Sequence, residues 1–256
     1  MSILTDTHTH LYAEEFDTDR DLLIREAIHQ GVGRFFMPNI ESSTIEGMLE
    51  LENKYPENCF PMMGLHPCSV KANWESEMRI VEDWLNRRKF VAVGEMGIDL
   101  YWDKTFVEEQ KEVFKRQVDL ANQFKIPIVI HSRDSFELIY ELLLEKKKEA
   151  PFGIFHCFTG NEDQANRAID LGFYLGIGGV LTFKNSGLDK VVEKIDLNHL
   201  VLETDAPYLA PVPQRGKRNL PEYLILIAEK MALLQGKTVD EVTKKTTENS
   251  IKIFGR

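Results

Sequence analysis

Cysteine is scarce in this chain: Cys59, Cys68 and Cys157 are three in 256 residues, and none forms a Cys-x-x-Cys pair. An odd, dispersed set excludes a disulfide framework and a thiolate zinc finger, and it suits a reducing cytosol. Long apolar runs are missing as well, since no stretch approaches the ~18 residues of a membrane-spanning helix. Positions 1–21 hold acids and histidines where a secretory signal needs an apolar core, so a cytoplasmic protein with no membrane partner is expected. Basic residues are outnumbered, 31 Lys+Arg against 41 Asp+Glu, for a formal net charge of −10. That deficit disfavours broad duplex binding through a basic face but leaves room for a nucleotide substrate held by metal ions. With 43% apolar and 28% charged residues the composition is globular, and a chain this long can build a core without covalent staples.

What is present is one repeated unit: a short apolar run, a polar break, then a stretch with apolar residues at three and four spacing. Strands are expected at 3–5, 34–37, 60–63, 90–93, 128–130, 154–155, 174–177 and 200–202. Helices are expected at 22–28, 44–55, 77–87, 107–124, 136–147, 163–171, 188–195 and 222–234, with a last one at 239–254. Capping boxes Ser43-x-x-Glu46 and Thr238-x-x-Glu241 open two of them. Eight strand–helix units fit a single-domain (β/α)8 TIM barrel over residues 1–256 with an extra C-terminal helix. A doubly wound open sheet is the competing architecture. Barrel chemistry gathers at the carboxyl ends of the strands, so the strand exits are the place to look for it.

Five of the seven histidines stand there: His8, His10, His66, His131 and His156. His29 lies within a predicted helix and His199 precedes the last strand, away from that rim. Glu95 and Asp205 follow strands 4 and 8. Residues two apart in an extended segment share a side, so His8 and His10 can both face the barrel mouth. Singly, each of these residues has an ordinary structural explanation. Jointly, so many buried imidazoles and carboxylates would be costly to desolvate without a cation. The strand exits offer six good candidates, more ligands than one ion needs, and Glu95 can bridge with two oxygens. A pair of divalent ions ~3.5–4 Å apart is therefore expected, the arrangement used in phosphoester hydrolysis.

Thr5-Asp6-Thr7-His8-Thr9-His10, Gly64-Leu65-His66-Pro67, Gly94-Glu95-Met96-Gly97-Ile98-Asp99, His131-Ser132-Arg133, His156-Cys157-Phe158-Thr159-Gly160 and Leu202-Glu203-Thr204-Asp205-Ala206-Pro207-Tyr208 occur in a telling order. Together they resemble the TatD-type metal-dependent deoxyribonucleases, over essentially the whole chain. The resemblance implies a barrel of the amidohydrolase-like superfamily, two divalent ions (Mg, Mn or Zn) and hydrolysis of phosphodiester bonds in DNA. Single-stranded ends suit it better than intact duplex as the substrate, and no obligate protein partner is implied. It also implies that His8, His10 and Asp205 hold one ion, and that Glu95 bridges to a second held by His131 and His156. His66 then stands near the substrate phosphate without being a ligand, and Arg133 contacts that phosphate. Asp205 would take a proton from the attacking water, and His66 would steady or protonate the leaving oxygen. One departure is Leu220, where the family commonly has an acid before the proline of the loop after the last strand.

Superfamily relatives often bridge their metals with a modified lysine at strand 4. Here Glu95 stands at that exit with no lysine before Lys104, which favours phosphoester over amide chemistry. Two other functions stay open on the sequence: hydrolysis of a small phosphoester, lactone or amide at the same centre, and a catalytically silent binding protein. Arg215, Lys217 and Arg218 could track a nucleic-acid backbone or merely be solvated. Tyr101 and Trp102 could stack a base or pack inside.

Overall fold

A computed structural model describes residues 3–146 and 151–256 of the chain. The strands are β1 (Leu4–Asp6), β2 (Val32–Pro38), β3 (Cys59–Met62), β4 (Val93–Asp99), β5 (Ile128–Arg133), β6 (Gly153–Phe155), β7 (Phe173–Ile177) and β8 (Leu200–Leu202). The helices between and after them are α1 (Arg20–His29), α2 (Ile45–Lys54), α3 (Trp74–Arg87), α4 (Val107–Phe124), α5 (Phe136–Glu145), α6 (Glu162–Asp170), α7 (Leu188–Val192), α8 (Leu224–Gln235) and α9 (Val239–Phe254). The expected extension of α5 to position 147 lies outside the described residues. Among these, no helix is long and apolar enough to cross a membrane.

All ladders are parallel, in the orders β1-β2-β3 and β4-β5-β6-β7-β8. Hydrogen bonds span both gaps. Met63 bridges Val93, with the Gly94 amide donating to the Met63 carbonyl at 3.1 Å, and the Thr7 amide donates to the Leu202 carbonyl at 3.0 Å. The chain is thus a (β/α)8 barrel, not an open doubly wound sheet. Its interior follows the period of two along the strands. Val129, Ile154 and Val201 belong to one buried apolar cluster, and two residues further on stand His131, His156 and Glu203. The inward face therefore changes from apolar to ionisable within one step toward the strand exits. Ile253 and Phe254 of α9 join the same cluster, and the Phe254 ring stacks on Phe36 at 4.0 Å. The extra C-terminal helix thereby stoppers the apolar end of the barrel.

Two local expectations are corrected. Strand 4 does not end at residue 93; β4 begins there and carries Glu95 inside it. Gly94 and Gly97 weigh against a strand locally, but the packing of β4 needs glycine there. A Cβ on Gly97 would lie 2.0 Å from the His131 carbonyl oxygen, so only glycine allows β4 and β5 to approach this closely. The capping box before α2 pairs Glu41 with Thr44 instead of Ser43 with Glu46, because a 3-10 turn over Ser42–Thr44 precedes the helix. The Thr238–Glu241 box opens α9 as expected.

Candidate metal centre

The six expected donors converge, divided between the two oxygens of Glu95. On one side, His8 Nε2 lies 3.1 Å and His10 Nε2 3.5 Å from Glu95 Oε2. These two imidazole nitrogens are 3.3 Å apart, and Asp205 Oδ1 stands 3.8 Å and 3.5 Å from them. On the other side, His131 Nδ1 and His156 Nε2 lie 3.0 Å and 3.1 Å from Glu95 Oε1. Ligands ~2.0–2.1 Å from a tetrahedral ion are ~3.3–3.5 Å apart, so the first group has the spacing of a coordination shell. His8, His10 and Glu95, and separately His8, His156 and Asp205, could each hold an ion.

Supporting bonds decide which ring nitrogens present lone pairs. The Tyr12 hydroxyl donates to the Pro38 carbonyl at 2.5 Å, so it accepts from His10 Nδ1 at 2.9 Å and leaves Nε2 bare. His156 Nδ1 donates to Glu203 Oε1 at 3.1 Å, freeing its Nε2. His131 is turned the other way: Nε2 donates to Asp99 Oδ2 at 2.9 Å and Nδ1 faces Glu95. Three rings thus aim lone pairs inward from outer carboxylate or hydroxyl partners, the support that metal-binding histidines usually have. His8 Nδ1 is buried without a hydrogen-bond partner. Such a donor set facing itself in a dry pocket fits a divalent cation and little else.

His66 differs. Its Nδ1 accepts from the Cys68 amide at 3.0 Å, so in the neutral ring the proton sits on Nε2. That nitrogen points into the centre, 3.3 Å from His131 Nδ1 and 3.4 Å from Glu95 Oε1. Although spacing alone groups His66 with Glu95 and His131 as a candidate metal set, its inward atom is a donor, not a lone pair. Burial holds its pKa below the usual histidine value, which keeps it neutral.

Charge is arranged to match. Burial would push the Glu95 pKa up, but His66, His156 and His8 hold it well below the usual carboxylate range. Burial opposes charge on His156 too, yet Glu95 and Glu203 raise its pKa well above normal, so an ion bound there would have to displace the Nε2 proton. Asp205 is held low against burial by the neighbouring imidazoles of His10, His156 and His8. Burial also opposes the Asp99 carboxylate, but bonds from His131 and the Trp102 amide bring its pKa to about 2. The centre is an anionic core ringed by imidazoles.

Asp6, Tyr12, Asp99 and Glu203 had no role assigned from the sequence. Asp6 accepts from the His8 and Thr204 amides and from the Thr204 hydroxyl, tying the loops after β1 and β8 together. Glu203 Oε1 also takes the Cys157 amide at 2.6 Å, while its Oε2 is buried without a partner. Gly176 makes room for it, since a Cβ there would fall 2.2 Å from that oxygen. The available signal was a second carboxylate in motifs that already supplied a ligand.

Arg133 ends β5 two residues beyond His131, exposed, with its guanidinium 4.8 Å over the Tyr101 ring. The basic cluster is less available than its spacing suggested. Arg218 is paired with Asp19 at 2.5 Å and donates to the Glu15 carbonyl, and Arg215 lies over the Phe183 ring. Leu220 is half-buried and packs against the main core. His29 is exposed at the end of α1, and His199 sits in a turn before β8.

A family model described as TatD related DNase matches residues 5–255. An uncharacterized metal-dependent hydrolase of Bacillus subtilis, YabD, is 40% identical over 253 residues, 98% of this chain and 99% of the relative. A Salmonella typhimurium protein named 3'-5' ssDNA/RNA exonuclease TatD is 32% identical, covering 97% of this chain and 98% of its own. The solved structure of the Escherichia coli TatD homolog YjjV superposes with a TM-score of 0.93 at 29% identity, covering 99% and 98% of the two chains.

Proposed function

The chain belongs to the TatD family of metal-dependent hydrolases, and from that premise we propose that it cleaves phosphodiester bonds in DNA, at single-stranded ends, with two divalent ions. The observation that carries this reading is the division of Glu95: one oxygen faces His8 and His10, the other His131 and His156. Asp205 completes the first set. The naming of the Salmonella relative as an exonuclease of single-stranded nucleic acid supports the substrate class.

Divalent ions held there supply Lewis acidity at a phosphoryl oxygen and make a water acidic enough to ionise near neutral pH. The protein groups then have separate tasks. Asp205, kept ionised beside His10, accepts the proton of the attacking water. His66 presents its Nε2 proton to a phosphate or leaving oxygen, a task its Cys68 contact prepares. Arg133 meets non-bridging oxygens with its planar fork.

The test is turnover of single-stranded DNA and a panel of small phosphoesters, lactones and amides by the purified protein with Mg, Mn or Zn. Metal-dependent cleavage of DNA well above the small substrates is expected. A neutral lactone or amide hydrolysed far faster than DNA would replace this reading with that of a small-molecule hydrolase. No turnover of any substrate under any metal would leave a silent binding protein.

A further inference from the structure

Beside the centre, Tyr101 and Trp102 stand out of the surface, 51% and 73% exposed. Their rings meet edge to face at 4.9 Å, and the Arg133 guanidinium lies 4.8 Å over the Tyr101 ring. A tryptophan so exposed contributes little to the core, and most of its ring lies in water beside the centre. The loop is nonetheless tightly held. Asp99 Oδ1 accepts the Tyr101 and Trp102 amides at 2.9 Å and 2.8 Å, while its Oδ2 takes His131 Nε2. One carboxylate therefore orients both the aromatic pair and a ring of the centre. Lys71 pairs with Asp103 at 2.8 Å and anchors the next residue of the same loop. A cavity of about 440 Å³ is lined by Leu100 and Ser132, the chain neighbours of Tyr101 and Arg133, and by His156 of the centre.

We propose that Trp102, Tyr101 and Arg133 form a stacking platform for a base of single-stranded nucleic acid, one that holds the strand in register with the metal centre. The inference rests on the nucleic-acid reading of that centre. Every base has a π face, so an aromatic pair grips a strand without regard to sequence, and the guanidinium adds attraction for its phosphates. This gives an acidic protein a way to hold a polyanion without a basic surface. The grip is for an unpaired strand, because a stacked duplex hides its base faces.

Trp102→Ala and Trp102→Phe test the platform, and at so exposed a position neither threatens the fold. For a ten-nucleotide single strand of DNA or RNA, Trp102→Ala should raise KM fivefold or more and change kcat less than twofold. Trp102→Phe should recover most of the loss. Cleavage of a phosphodiester too small to reach the loop should be untouched, and whichever nucleic acid shows the larger KM change is the one the platform serves. Binding of a nuclease-resistant phosphorothioate strand in the presence of Mg, followed by fluorescence anisotropy, should weaken by the same factor. Unchanged KM and unchanged strand binding in Trp102→Ala would overturn the platform, as would an equal effect on the small diester. If neither DNA nor RNA is cleaved but Trp102→Ala still weakens strand binding, the platform stands and the nuclease reading falls.

Discussion

The two oxygens of Glu95 look out on unlike halves of the site. On the Oε2 side, His8 and His10 are 0% and 3% exposed, and the chain segments carrying them are bonded directly to the loop after β8. On the Oε1 side His156 is 4% exposed, but His66 and His131 are 15% and 19% exposed, the first oriented by the Cys68 amide and the second by the Asp99 carboxylate. The first half is a dry, backbone-braced socket. The second is open on the face that also presents Arg133 and the aromatic loop. A buried half can bind an ion tightly and lose it slowly, whereas an open half is where substrate meets the centre.

The largest test of that division removes its pivot. Glu95→Gln keeps the volume but discards the charge that both halves share, so both ions should be lost, together with turnover by ~10³-fold or more. Metal analysis finding two ions per chain with hydrolysis intact would refute the bridge. Next in size is His66→Asn, which should lower kcat by ~10²-fold, at the lower end for a proton donor, while two ions remain bound. Loss of an ion in this variant would make His66 a ligand and the open half a three-imidazole site.

Asp99→Asn sharpens the contrast from outside the centre. It should weaken the ion of the open half by ~10–100-fold and leave that of the dry half in place, read as two-step binding in a metal titration. Both ions weakening together would dissolve the distinction between the halves. The smallest effect is expected at Arg133→Ala: normal metal content, with kcat/KM on an oligonucleotide down about tenfold, or ~1.4 kcal/mol. Full activity on DNA, or missing metal, would remove Arg133 from the phosphate.

The donor residues were legible because each sits where a short apolar run stops, and strand periodicity says which way it points. His8 and His10 needed only their spacing of two. Val129 and His131, or Ile154 and His156, show the same rhythm across the step from core to site. Strand 4 was misjudged because Gly94 and Gly97 weigh against a strand locally, and only the closeness of β5 explains them. The C-terminal helix was equally plain from its Thr238–Glu241 box, but not its use as the barrel's stopper.

The amino-acid order by itself determined the alternation of strand and helix, the ring of histidines at the strand exits, and Glu95 as the carboxylate that can serve two sides. Only the tertiary structure decided which nitrogen of each ring faces inward. Asp99 is 32 residues from His131, and Glu203 is 47 from His156, so those proton assignments depend on bonds that exist only when distant strands meet. It also decided that Arg218 is spent on Asp19 while Trp102 is left in water. A residue's chemistry is carried in its type and its local period. Its protonation and its availability are set by neighbours that the barrel brings in from elsewhere in the chain.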